Sequence, residues 1–134
     1  MPQSNFDFKI DEVRRLLIVR PIGREPSAWY TERMLAAYET VEAPWQYNRL
    51  IDHRRFRGMI DFSDLQRIAA WWDTTMTGRS ETPRVAMLTR QPLTQARIGG
   101  ANGVFSPAHF RYFTSHDDAL AWLSGAEELP SAAE

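Results

Sequence analysis

The chain has 134 residues, of which 43% are hydrophobic, 12% aromatic and 25% charged. That length suits one domain, with enough apolar material for a core and too little charge for a disordered chain. Sixteen basic residues against seventeen acidic ones leave a net charge of −1, which argues against a field that recruits nucleic acid. The absence of cysteine excludes a disulfide framework, a thiolate metal site and a cysteine nucleophile. No apolar run approaches the roughly 20 residues that span a bilayer. Met1-Pro2-Gln3-Ser4-Asn5 lacks the basic start and apolar stretch of a signal peptide, so a soluble cytoplasmic domain is expected.

Phe6, Phe8 and Ile10 alternate with Asp7, Lys9 and Asp11, the period of a half-buried strand. A short polar turn follows, then the continuous apolar run Leu16-Leu17-Ile18-Val19 ending at Pro21 predicts a strand buried on both faces. Two strands so close in sequence should form an antiparallel hairpin. Glu25-Pro26-Ser27 opens a helix carrying Tyr30, Met34, Ala37, Tyr38 and Val41, which Pro44 stops. A short strand runs from Tyr47 to Asp52. Ser63 and Gln66 read as a capping box for a helix whose stripe is Leu65, Ile68, Ala69, Trp72 and Met76, with Gly78 placed to end it. Val85 to Leu88 is a further buried strand. Leu93 to Ala101 predicts a weaker helix, His109 to Phe113 a last strand, and Ser115 the cap of a final helix bearing Ala119, Trp122 and Leu123. Strands separated by single helices predict right-handed crossovers and a largely parallel sheet. The expectation is one α/β domain over residues 5–125, with four helices and a frayed tail over 126–134.

Few constellations promise chemistry. Asp52-His53 ends a buried strand, where ligands of open α/β sheets gather. Adjacent residues of a strand point to opposite faces, however, so Asp52 should not orient His53 as a base. No G-x-S-x-G turn supplies a serine nucleophile. The three histidines lack metal-ligand spacing and read as surface or loop residues. Arg54, Arg55 and Arg57, with Arg49 nearby, form a cationic patch that could grip an oxyanion but, in a chain whose basic residues are nearly all Arg and which has no basic excess, reads first as a solvated loop. Gly99-Gly100-Ala101-Asn102-Gly103 lacks the lysine of a phosphate loop and follows a helix, so it reads as a connection. Val104-Phe105 beyond it could serve as an apolar lid. Trp71, one residue off its helix stripe, and Trp29 and Trp45, near helix ends, could line an apolar pocket or a homodimer face; Trp29, Trp71 and Phe105 are the candidate contacts.

Taken together, Leu16 to Val19, Leu50-Ile51-Asp52 with Phe56 and Gly58, and Arg84-Val85-Ala86 resemble the SpoIIAA-like, or STAS-like, family of small bacterial α/β domains. The closing Phe110-Arg111-Tyr112-Phe113 and Asp117-Asp118-Ala119-Leu120-Ala121-Trp122-Leu123 carry most of that likeness. The resemblance implies a STAS-like mixed sheet with helices on it. It implies non-enzymatic work without metal or cofactor: binding a small apolar or amphiphilic ligand or a membrane-associated partner, with peripheral membrane association as one form. The alternative is a protein-interaction regulator of the anti-sigma factor antagonist type. Antagonists carry a phosphorylated serine in a D-S-S-G-L stretch; Asp61-Phe62-Ser63-Asp64-Leu65 keeps the Asp, second Ser and Leu but lacks the first Ser and the Gly. Ser63 is therefore the candidate phospho-acceptor, or simply a helix cap.

Overall fold

A computed structural model describes residues 4–90 and 109–125. Its elements are β1 (Asn5–Asp11), β2 (Leu16–Ile22), α1 (Ser27–Glu39), a 3-10 turn (Pro44–Gln46), β3 (Asn48–Asp52), α2 (Phe62–Met76), β4 (Val85–Leu88), β5 (Phe110–Phe113) and α3 (His116–Ser124). The five strands lie in chain order. β1 and β2 form the expected antiparallel hairpin, while β2 through β5 run parallel. The sheet is thus mixed and α/β, as expected. Three α-helices are present among the described residues rather than four; the helix expected over Leu93 to Ala101, the lid residue Phe105 and the tail over 126–134 lie outside them.

Strand order explains the layering. When each parallel strand is added beside its predecessor, right-handed crossovers place their helices on one face. Accordingly α1 and α2 cover the same side, where Leu17, Val19, Ile51, Val85 and Met87 of the strands meet Tyr30, Met34, Tyr38, Ile68 and Trp72. The last helix has no strand to return to and is free to cover the opposite face. There Leu16, Leu50, Ala86 and Leu88 pack on Ala119, Trp122 and Leu123 of α3. Alternate residues of β2, β3 and β4 therefore enter two cores, which is why these strands read as unbroken apolar runs. Within α2 only Ile68 and Trp72 are buried, and the remainder of the predicted stripe is half-buried.

Polar staples fasten α3. Asn48 Nδ2 donates to the Leu123 carbonyl at 2.8 Å, and Asn48 Oδ1 accepts from the Arg84 N–H at 2.8 Å. The Arg84 guanidinium donates to the Trp122 carbonyl and lies 5.1 Å from the Trp122 ring centre. These bonds occupy carbonyls that a helix C-terminus leaves without internal partners. At the other end Ser115 caps α3 as expected, its hydroxyl accepting from the Asp118 N–H at 3.2 Å.

Candidate functional site

The carboxyl ends of β2, β3 and β4 gather the residues singled out above. The register that pairs Val19 with Ile51 brings Arg20 beside Asp52 on the α3 face of the sheet. The buried Asp52 carboxylate accepts from Arg20 Nε at 3.2 Å and from Arg54 Nε and Nη2 at 3.0 and 2.9 Å. It also accepts from the Arg54 backbone N–H. Burial alone would raise this carboxyl, but the hydrogen bonds and charge of Arg54, helped by Arg20, hold it below the usual carboxylate range. The same bond to Asp52 raises the Arg54 guanidinium.

His53 points the other way, as the strand alternation requires, and Asp52 does not orient it. Its Nε2 and the Tyr30 hydroxyl share a buried hydrogen bond of 2.6 Å. His53, in the loop just past β3, is thus buried against α1 rather than at the surface. Phe56 packs on Tyr30 and His53 and stacks at 10° on Trp29, which also meets Phe6 edge-on. Burial pushes the Tyr30 phenol well above its ordinary pKa, so it stays protonated at any physiological pH.

The loop leaving β3 is held close to the domain. Gly23 N–H donates to the Arg55 carbonyl at 3.0 Å, and Arg57 N–H donates back to the Gly23 carbonyl at 2.9 Å. Gly58 allows the chain to pass against the segment that leads into α1, because a Cβ there would collide with the Glu25 carbonyl and the Phe56 ring. Beyond it stand the exposed apolar side chains of Met59 and Phe62, 61% and 48% accessible, beside exposed Arg55 and Arg57. The arginine patch is therefore divided rather than one solvated loop. Arg54 is tied to Asp52, Arg55 and Arg57 reach solvent, and Arg49 is buried on β3 beneath the helices.

The start of α2 corrects the capping assignment. The N-cap position is Asp61, without a side-chain cap bond, and Ser63 is an exposed residue inside the first turn. The hydroxyl that serves this end belongs to Ser27, at the start of α1. It accepts from the Asp61 N–H at 2.8 Å and donates to the Asp64 carboxylate. Asp64, standing where antagonists carry glycine, thus joins the two helix N-termini. Local pattern could not reveal this, because the partner lies 37 residues away. The tryptophan candidates are both half-buried, Trp29 against Phe56 and Trp71 stacked at 28° on Tyr38. They do not share a pocket: one belongs to the strand-end aromatic cluster and the other to the far end of the helical layer. Sequence reasoning missed Arg20, Ser27 and Tyr30. Only the strand register, which places Arg20 opposite Asp52, could have signalled one of them.

A mixed five-stranded sheet with helices on both faces, and strand ends closed by internal pairs, defines a small α/β domain with an apolar and cationic rim. The SpoIIAA-like family model matches residues 16–124, and the chain belongs to that family. An uncharacterized protein with a SpoIIAA-like fold from Shewanella loihica PV-4 is 22% identical, covering 92% of this chain and 95% of its own, with a TM-score of 0.51. That likeness supports the fold. Among curated proteins there is no match.

Proposed function

We propose that this STAS-like domain is a non-enzymatic binder of an anionic amphiphile, received at the rim formed by Arg55, Arg57, Met59 and Phe62. The observation that carries the reading is the exposure of Met59 and Phe62 next to two exposed guanidinium groups on a pinned loop. Exposed apolar side chains rimmed by charge mark binding surfaces, and cations beside them select a negatively charged head. The groups best able to act as acid or base at the strand ends are committed to structure, Asp52 to two arginines and His53 to Tyr30. No helix among the described residues is long and apolar enough to cross a membrane.

A fluorescent fatty-acid probe and vesicles containing phosphatidylglycerol test the reading. Both should bind the wild type, and Met59→Asp with Phe62→Asp should weaken binding by about tenfold or more, as expected when apolar anchors are replaced by charges. Undiminished binding in that double variant removes the rim. The second reading, a regulator switched at Ser63, is favoured by the exposure of that hydroxyl at a helix N-terminus, where free N–H groups attract anions. Against it, Asp61 and Asp64 flank the position and would repel a phosphate.

A further inference from the structure

Among the described residues, the core beneath α1 and α2 holds a cation on β3 without a carboxylate partner. Arg49 is only 9% exposed, and none of the ion pairs among the described residues includes it. Its guanidinium carbon lies 3.7 Å from the Trp72 ring centre and 5.9 Å from that of Tyr38, while those two rings meet edge-on at 4.9 Å. The three side chains therefore surround one spot between the amino-terminal end of β3 and the ends of α1 and α2. Arg49 Nε, Trp72 Nε1 and Tyr38 OH are all buried there, and none makes an aligned hydrogen bond. Every one of them is able to donate, and two can only donate.

A face-on tryptophan offsets part of the cost of burying a guanidinium. The Tyr38 hydroxyl oxygen accepts from Arg49 and Trp72 only in poorly aligned geometry, and buried donors without well-aligned acceptors are disfavoured. The Arg49 guanidinium is held below its ordinary pKa by burial, with only Tyr38 acting to raise it. What the spot lacks is negative charge and a well-aligned acceptor, and a small oxyanion supplies both at once.

We propose that Arg49, Trp72 and Tyr38 form an oxyanion site, distinct from the rim at the opposite ends of the strands. Arg49 provides charge and direction, Trp72 Nε1 and Tyr38 OH provide the remaining donors, and the aromatic walls strip water from the bound group. The oxyanion comes either from a free inorganic anion or from the carboxylate of a molecule with an apolar body, which the surrounding Val41, Val85 and Trp71 would accommodate.

Trp71 and Trp72 make intrinsic fluorescence a direct reporter. Inorganic phosphate, acetate and decanoate are titrated into the full chain at constant ionic strength, with chloride as the reference. A saturable change is expected with phosphate or with the carboxylates, accompanied by a rise in melting temperature. Decanoate binding at least about tenfold tighter than acetate identifies a carboxylate on an apolar body, since each buried methylene adds to affinity. Phosphate binding more tightly than either carboxylate identifies a free anion. Arg49→Met should abolish the response. Tyr38→Phe, which keeps the ring but removes one donor, should weaken anion affinity by about tenfold and shrink the anion-induced rise in melting temperature, a readout that a merely structural role would not give. No response beyond chloride in the wild type, a response unchanged in Arg49→Met, or an anion affinity unchanged in Tyr38→Phe overturns the site. Loss of rim binding in Met59→Asp leaves it untouched, so the two readings fail independently.

Discussion

The two faces of the sheet solve the same burial problem differently. Beneath α3 the core is aliphatic with one large ring, Trp122, and the polar groups beside it are matched: Asn48 spans Leu123 and Arg84, and Arg84 reaches Trp122. Beneath α1 and α2 the core is aromatic, built from Tyr30, Tyr38, Tyr47 and Trp72, and it holds Thr31 Oγ1, Tyr38 OH, Arg49 Nε and Trp72 Nε1 without aligned partners. Tyrosine and tryptophan bring large apolar area together with a polar handle that needs a partner. A face that only had to be stable would use the first solution twice. The polar surplus on the α1 and α2 face is what the proposed oxyanion site would leave in the fold, at some cost in stability.

Trp122→Ala should most damage the matched face, because it removes a ring packed on Phe113 and approached by the guanidinium groups of Arg84 and Arg111. A loss of about 3–5 kcal/mol is expected, against about 2–4 kcal/mol for Ile68→Ala on the other face, both read by chemical denaturation. Comparable losses from the two would mean that the faces contribute alike. Between the faces stands Asp52. Its pKa is depressed in the fold, so its contribution is complete above the unfolded carboxylate value of about 3.9 and disappears as pH falls through the lower folded value. Asp52→Asn should cost about 1–2 kcal/mol at neutral pH, a modest figure because Arg20 and Arg54 are both more than a third exposed. The wild-type and variant stabilities should then converge in acid, below about pH 4; curves that stay parallel would show that the charge of Asp52 is immaterial. The smallest effect separates the two serines near α2. Ser27→Ala should lose about 1 kcal/mol by leaving the Asp61 N–H and the Asp64 carboxylate without their partner. Ser63→Ala should change stability by less than about 0.5 kcal/mol, and the reverse order would restore Ser63 as the cap.

Much of this architecture is legible in the chain because it is local. The alternation of Phe6, Phe8 and Ile10 marks the hairpin, the run from Leu16 to Val19 marks a strand between two cores, and Ser115 three residues before Asp118 marks a true cap. The divergence of Asp52 and His53 follows from strand geometry alone. What escaped is what depends on tertiary neighbours. A serine before a helical stripe looks the same whether it caps or not, and Ser63 lost that role to Ser27 across 34 residues. Arg49 looks like a member of a surface cluster until Trp72 is seen beneath it. The candidate site is legible in its residue types and not in its groupings.

The staple of Asn48 to Leu123 closes a loop of 75 residues, whereas the β1–β2 hairpin closes over a four-residue turn between Asp11 and Leu16. Closing long loops costs chain entropy before any contact rewards it, and chains dominated by such contacts fold slowly. The hairpin should therefore order first and the parallel strands add outward from it, leaving α3 to lock the sheet in the last kinetic step.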